Sequence, residues 1–151
     1  MSFTIRKMKL SDISSVQANA KKTWNATYEE IIPSAIQEKF LNAAYSDASM
    51  EHRVINSLLL VAEVEGKVVG FANYSPVDSD SKAELGAIYI DPANQGSGIG
   101  TAFLKEGISR LEGVKEVYIN VERDNEIGKT FYNAKGFQVV EVFDDDLTGI
   151  Y

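Results

Sequence analysis

The sequence contains no cysteine, one histidine (His52) and only three prolines among its 151 residues. Without cysteine, thiol nucleophiles, disulfides and cysteine-based zinc sites are excluded, and we expect no metal centre. The same absence suits a reducing compartment, so we expect a cytoplasmic protein. No run of about 20 apolar residues is present and the N-terminus lacks the apolar segment of a signal peptide, so we expect no membrane partner. His52 has no acidic neighbour that would mark it as a base, and we interpret it as a surface residue.

Positive charge is also scarce. Fifteen Lys and Arg residues stand against 22 Asp and Glu, giving a formal net charge of −7. Nucleic-acid binding depends on clustered positive charge, and no such cluster is visible, so we expect no nucleic-acid partner. An acidic surface tolerates cationic substrates such as amines or polyamines, although the same charge also serves solubility alone.

Hydrophobic periodicity predicts one α/β domain that spans residues 1–151, without repeats or linkers. The predicted strands are residues 3–6, 58–64, 68–74, 84–90, 117–121 and 137–143. Helices are predicted from an N-cap at Ser11 or Asp12 through Trp24, after Pro33 through Ala44, over residues 50–56, through residues 102–111, and over residues 125–135 before Gly136.

A glycine-rich turn joins the strand at residues 84–90 to the following helix. Strand, helix and next strand of this length imply a parallel pair, and the helix N-terminus beside the glycines favours an anionic phosphate. The turn lacks the lysine of a P-loop, the third glycine of a dinucleotide fingerprint and the Gly-x-Ser-x-Gly of a nucleophile elbow. What remains is Gln-x-x-Gly-x-Gly over residues 95–100.

This ordered set of motifs closely resembles the GNAT superfamily of N-acetyltransferases. Besides the Gln95–Gly100 loop, the resemblance covers the hairpin at residues 65–70, the strand at residues 85–90, and the Asn125…Phe131-Tyr132…Gly136-Phe137 signature. It implies a mixed central β-sheet (α+β) flanked by helices, with the cofactor in a splay between two parallel strands. It also implies acetyl-CoA as donor and direct transfer to an amine, since no cysteine or elbow serine offers a covalent route.

The resemblance implies the cofactor contacts residue by residue. Backbone groups of the strand around Ile88, Tyr89 and Ile90 are expected to bind the pantetheine arm, with the Ile88 amide as oxyanion donor. The loop amides are expected to hold the pyrophosphate, at positions Gln95, Gly96, Ser97, Gly98, Ile99 and Gly100. At Gly98 and Gly100 a Cβ is expected to crowd the ligand. Asn125 resembles a residue that touches the CoA arm, and its position also fits a helix N-cap.

The resemblance implies the catalytic residues too. Tyr132 matches the family tyrosine that protonates the leaving thiolate, although Phe131-Tyr132 also suits an apolar helix face. Glu84 stands where some members carry a catalytic glutamate, whereas others use water chains. Trp24 and Tyr28 share a helix face and are expected to contact the acceptor, unless they form a core pair.

One departure from the family is the short segment after the acidic residues 144–146, which suggests that the last family strand is missing. An uncovered strand edge invites pairing, so we expect a homodimer. The acceptor class stays open among polyamines, amino acids, antibiotics and protein N-termini. A non-catalytic acyl-CoA-binding or regulatory protein, and a transferase for another acyl group, are the alternatives.

Overall fold

Five strands form one mixed sheet in the computed structural model, which describes residues 2–120 and 125–138. The strands lie in the order β1-β2-β3-β4-β5, and all neighbours pair antiparallel except β4 and β5, which run parallel. Their bounds are β1 Thr4–Lys7, β2 Leu58–Val64, β3 Lys67–Tyr74, β4 Lys82–Ile90 and β5 Glu116–Tyr118.

Five α-helices of the described part of the chain flank the sheet. Their bounds are α1 Ile13–Tyr28, α2 Ser34–Ala44, α3 Asp47–Asn56, α4 Ile99–Arg110 and α5 Glu126–Ala134. Short 3₁₀ helices precede α1 at Leu10–Asp12 and follow β4 at Pro92–Asn94. Across residues 2–120 and 125–138, no helix combines the length and the apolar content needed to span a membrane.

Two hydrophobic layers cover the two faces of the sheet because side chains alternate along each strand. One layer joins α4 and α5 to the sheet, and its buried members include Tyr74, Leu85, Ile99, Phe103 and Tyr132. The other joins α1, α2 and α3 to the sheet, and its buried members include Val16, Trp24, Leu41, Met50 and Phe71. The predicted mixed sheet flanked by helices is therefore confirmed.

Several element boundaries differ from those predicted. Helix α3 starts at Asp47, earlier than expected, because Ser46 accepts a hydrogen bond from the Ser49 N–H and caps it. Strand β5 ends at Tyr118, before Ile119 and Asn120. Helix α5 ends at Ala134 and is followed by Gly136 at φ 92°, so the predicted C′ glycine is confirmed. Of the predicted strand 137–143, Phe137 and Gln138 lie outside any strand, and the rest lies outside the described residues.

The start of α1 also differs from the prediction, because the predicted N-cap does not cap the helix with its side chain. Asp12 precedes the helix, but its side chain makes no capping hydrogen bond to α1. Its carboxylate instead accepts hydrogen bonds from the Arg6 guanidinium at 2.8 and 3.0 Å and from the Lys9 N–H at 2.8 Å. Arg6 also donates to Glu63 at 2.6 Å. This cluster connects β1, β2 and the entry to α1.

Replacing Asp12 with Asn is expected to lower the free energy of unfolding by about 2 kcal/mol at pH 7, since it breaks charge-assisted hydrogen bonds. The Arg6 hydrogen bonds hold the pKa of the Asp12 carboxyl below its ordinary 3.8. A lowered folded-state pKa stabilises the protein above the ordinary value, and that stabilisation disappears as the pH falls through the folded value. Urea titrations of both proteins should show a constant difference above pH 5 that shrinks below pH 4. A difference that persists at low pH would contradict this account.

Candidate active site

Strands β4 and β5 separate after three paired residues. The parallel register runs from Lys82↔Glu116 to Glu84↔Tyr118, whereas β4 continues to Ile90. Along Leu85–Ile90, no strand of the described residues pairs with β4 on this side. The result is a wedge-shaped gap, here called the split, that opens towards the end of β4.

The backbone of β4 presents hydrogen-bonding groups to the split. The Asp91 N–H donates to the Val69 C=O on β3 at 2.7 Å, and Phe71 pairs with Tyr89. Because peptide groups alternate along a strand, the N–H and C=O groups of Ile88 and Ile90 point away from β3. Consistent with this, the Gln95 Nε2 donates to the Ile90 C=O at 3.2 Å. The amide of Tyr89 faces β3, so of the three predicted strand positions only Ile88 and Ile90 face the split.

The N-terminus of α4 lies directly beyond the end of β4. The first intrahelical bond runs from the Ala102 N–H to the Gly98 C=O at 3.0 Å. The preceding N–H groups, from Gly98 to Thr101, have no partner inside the helix and carry the positive end of its dipole. The Ser97 hydroxyl donates to the Asn94 C=O at 2.6 Å, which shapes the loop before the helix. The loop Gln95–Gly100 therefore forms an anion cradle.

Glycine is needed at the three loop positions for different physical reasons. Gly96 and Gly98 adopt φ values of 81° and 90°, a conformation that side chains rarely adopt. Of the residues that the structure describes, none beyond the immediate chain neighbours has an atom within 4 Å of the position that a Cβ would take at either glycine, which leaves the cradle open on their side. At Gly100 a Cβ would lie 2.9 Å from the Phe131 ring, and the expected crowding of the ligand stays a prediction. Within the described residues, Gly100 thus permits close packing of α4 on α5.

Tyr132 lies on α5, on the α4 side of the sheet, and is only 7% exposed. Its ring makes edge contacts with Phe131 and Phe137, with centroids 5.1 and 5.5 Å apart. Burial raises the pKa of the Tyr132 hydroxyl, and the hydroxyls of Tyr28 and Tyr74 add to the effect. The hydroxyl is therefore protonated at neutral pH, which is the form that a proton donor requires.

Glu84 lies at the closed end of the split, as the last residue of β4 that pairs with β5. Its N–H donates to the Ser75 hydroxyl at 2.8 Å, which fixes the backbone. Its carboxylate accepts a hydrogen bond from the Asn120 Nδ2 at 3.3 Å, across the two separating strands. Asn120 escaped the sequence analysis, although the alternation of the predicted strand 117–121 puts it on the same face as Tyr118.

The predicted acceptor residues have different surroundings. Trp24 is 4% exposed, stacks on Phe40 with centroids 4.5 Å apart, and donates from its Nε1 to the Tyr89 hydroxyl. Burial strongly raises the pKa of that hydroxyl. Tyr28 is half-buried, with its ring 4.7 Å from that of Trp24. The structure therefore makes Trp24 part of the core, the second interpretation of the pair. His52 is exposed, as expected, and its ring lies 3.1 Å from the Asn56 Nδ2.

Asn125 is the N-cap of α5. Its Oδ1 accepts from the Gly128 N–H at 2.9 Å, and a Cβ on Gly128 would lie 2.6 Å from the Asn125 Nδ2. The structure therefore supports the N-cap interpretation. Capping uses the Oδ1, so a second role of the side chain towards a ligand stays a prediction.

Replacing Asn125 with Ala is expected to lower the free energy of unfolding by about 1 kcal/mol, because the first turn of α5 loses its cap. Replacement with Asp should lower the free energy of unfolding far less, since a carboxylate also accepts a hydrogen bond from the Gly128 N–H and is favoured at a helix N-terminus. Urea unfolding of the three proteins measures both effects. Equal losses in both variants would contradict a capping role.

The split and the cradle together fit a long thioester ligand with a pyrophosphate. The cradle offers N–H groups and open space above two glycines, which suits phosphate oxygens. The split offers the N–H groups of Ile88 and Ile90 and the Ile88 C=O, which no strand of the described residues pairs and which suit an amide-containing arm. Coenzyme A has both parts, so the residues present fit this cofactor.

Comparison with known proteins agrees with this fit. The model of the Acetyltransferase (GNAT) family matches residues 21–137. The chain is 28% identical to a spermidine N(1)-acetyltransferase of Thermoplasma acidophilum, over 97% of this chain and 94% of the relative. It is also 28% identical to the N-acetyltransferase YuaI of Bacillus subtilis, over 97% and 87%. The crystal structure of the PaiA N-acetyltransferase of T. acidophilum with coenzyme A superposes with a TM-score of 0.90 at 26% identity, covering 95% and 94%.

Proposed function

Because the chain belongs to the Acetyltransferase (GNAT) family and is an acetyl-CoA-dependent N-acetyltransferase, we propose that its acceptor is a small cationic primary amine such as a polyamine. The observation that carries the transferase function is the split beside the anion cradle. The full-length similarity to a spermidine acetyltransferase and the net charge of −7 support the cationic acceptor.

We propose the following roles in acetyl transfer for the residues of the split and the cradle. When bound, acetyl-CoA supplies an activated acetyl thioester. The Ile88 N–H faces the split and donates a hydrogen bond to the thioester oxygen, a contact worth about 3 kcal/mol of transition-state stabilisation. The loop amides and Gly98 anchor the pyrophosphate.

Two side chains on opposite faces of the sheet then transfer the protons. Glu84, on the α3 side, accepts the proton of the acceptor ammonium, which frees the lone pair that forms the amide. Tyr132, on the α5 side, gives its hydroxyl proton to the leaving sulfur, and the second proton lost by the attacking nitrogen restores the hydroxyl.

An acceptor panel with acetyl-CoA tests the proposed acceptor. Thiol release is measured with polyamines, amino acids, aminoglycosides and peptides, and we expect the highest kcat/KM on polyamines. Turnover confined to amino acids or peptide N-termini would refute a polyamine acceptor. Binding of coenzyme A without turnover of any amine would instead favour the non-catalytic alternative. Propionyl and succinyl thioesters, tested alongside, define the acyl preference.

For the assembly, we propose a single cytoplasmic domain over residues 1–151 that forms a homodimer and binds no nucleic acid. The acidic charge and the absence of cysteine support this proposal. The predicted absence of the last family strand concerns residues that lie outside the described ones. Light scattering after size-exclusion chromatography tests it, and a monomer at micromolar concentration would refute the dimer.

A further inference from the structure

A groove of about 270 Å³ lies on the α3 side of the sheet, here called the α3 groove. Its lining includes Asn56 and Ser57 at the end of α3, Asn73 and Ser75 on and after β3, and Glu84 and Gly86 on β4. None of these residues belongs to the predicted acceptor pair of Trp24 and Tyr28. The exposed surface of the lining is mixed and more apolar than polar, which suits an aliphatic chain that carries a few hydrogen-bonding groups.

The inner end of the α3 groove reaches the split. Glu84 lines the groove and is also the last residue of β4 that pairs with β5. The bond from Asn120 engages its Oε2 at this point. A molecule that enters along the groove therefore arrives at the carboxylate assigned as base, where the two strands separate.

The groove has a fixed wall and an open floor. Asn73 Nδ2 donates to the Ser57 hydroxyl at 2.9 Å, and that hydroxyl donates to the Arg53 C=O at 2.6 Å. These bonds hold the wall in one arrangement without a ligand. Among the described residues, a Cβ on Gly86 would contact the Asn73 C=O at 3.8 Å and nothing nearer, so the floor there is bare backbone.

Trp24 offers an acceptor little surface, because the residue is 4% exposed. The Trp24 ring stacks on Phe40 at an interplanar angle of 12°, and its Nε1 donates to Tyr89. An acceptor in contact with this ring must first separate the stack and break a buried hydrogen bond. The α3 groove requires no such opening.

The charges around the groove leave Glu84 as its anionic end. The Arg53 guanidinium also lines the groove, donates to the Ala44 C=O at 2.6 Å and to the Asn73 Oδ1 at 3.4 Å, and lies over the Tyr45 ring at 4.5 Å. Its charge repels an ammonium group at the α3 wall, whereas Glu84 is the one carboxylate among the described lining residues. Lys82, on the same strand as Glu84, pairs with Glu116 of β5 at 3.5 Å. From α3, the exposed His52 ring faces Asn56. An ammonium group is therefore attracted to the inner end.

We propose that the α3 groove is the acceptor-binding site of this transferase. A linear aliphatic amine with hydrogen-bonding groups lies along it, with its reactive nitrogen at Glu84 and its distal end beside Asn56. This inference rests on the proposed acetyl transfer to a small amine and adds the surface that selects the amine.

Blocking the groove mouth tests the proposal. Asn56→Trp puts an indole at the mouth, and Ile55→Trp puts the same ring on the neighbouring residue, which is 75% exposed and does not line the groove. We expect Asn56→Trp to raise the KM of the best amine roughly tenfold or more, while the KM of acetyl-CoA stays within about twofold. Ile55→Trp should leave both constants unchanged. Equal amine KM values in the two variants would overturn the proposal.

Asn56→Ala separates obstruction from a lost contact. The Asn56 amide bonds to His52, so its loss alone must be measured, and thermal melting shows whether each variant is folded. We expect Asn56→Ala to keep the amine KM within about threefold of the wild type, because the mouth stays open. A rise equal to that of Asn56→Trp would overturn the steric argument. If the wild type acetylates no amine, the proposed function fails, and amine calorimetry on the CoA-saturated variants then decides the groove separately.

Discussion

Replacing Tyr132 with Phe is expected to lower kcat by about 100-fold or more, while the KM values for acetyl-CoA and the amine change little. The substitution removes only the hydroxyl that is assigned to protonate the leaving sulfur, and it keeps the ring that packs against Phe131 and Phe137. A group that acts only during proton transfer affects kcat and kcat/KM equally. Steady-state kinetics with thiol detection measures the effect.

Tyr74→Phe is the matched control for this substitution. Tyr74 is fully buried in the same layer, and its hydroxyl donates to the Phe103 C=O at 3.1 Å. Removing that hydroxyl should lower the free energy of unfolding by about 1 kcal/mol and leave kcat unchanged. If Tyr132→Phe retains the kcat of the wild type, another group or a water molecule protonates the sulfur, and the assignment of Tyr132 is wrong.

The pH dependence of kcat gives a second test of Tyr132. Burial raises its pKa, so the hydroxyl keeps its proton beyond the range of an ordinary tyrosine, about 10. Ionisation of Tyr132 should therefore produce no loss of kcat below about pH 10. A fall in kcat near pH 8 that disappears in Tyr132→Phe would contradict this environment.

The sequence predicted most of the fold because its signals are local. The apolar runs of β2 and β3, the glycines of the cradle and the C′ glycine of α5 each act within a few positions. The end of β5 at Tyr118 was not predictable in this way, because the apolar pattern of residues 117–121 continues while the pairing with β4 stops. Pairing depends on where another strand lies, which periodicity does not encode.

The candidate site was likewise predictable from the sequence only in part. The loop Gln95–Gly100 and Tyr132 carry recognisable motifs, and the structure puts the first at a helix N-terminus and the second in a buried layer. The α3 groove has no motif, since Asn56, Asn73 and Glu84 come from separate elements and meet only in three dimensions. Trp24 shows the opposite case, because an aromatic pair at helical spacing serves the core as readily as a ligand.

Gly107 illustrates a packing constraint that the sequence conceals, and its replacement should have the largest effect on stability. It lies in the middle of α4, where glycine normally costs about 1 kcal/mol relative to alanine. Helix propensity alone therefore predicts that Gly107→Ala stabilises the protein. The structure predicts the opposite, because a Cβ there would lie 2.1 Å from Tyr74 Cε2 and 2.3 Å from Cζ.

The Tyr74 ring has nowhere to move, since it is fully buried and its hydroxyl is bonded to α4. Overpacking of this kind should make Gly107→Ala less stable by about 3 kcal/mol in urea unfolding. Ser109→Ala, on the exposed side of α4, is the control and should stay within about 0.5 kcal/mol of the wild type. Tyr74→Leu should lower the free energy of unfolding less in the Gly107→Ala protein than in the wild type, because the smaller side chain relieves the clash. If the free-energy changes of the two substitutions are strictly additive, the effect of Gly107→Ala does not come from its contact with Tyr74.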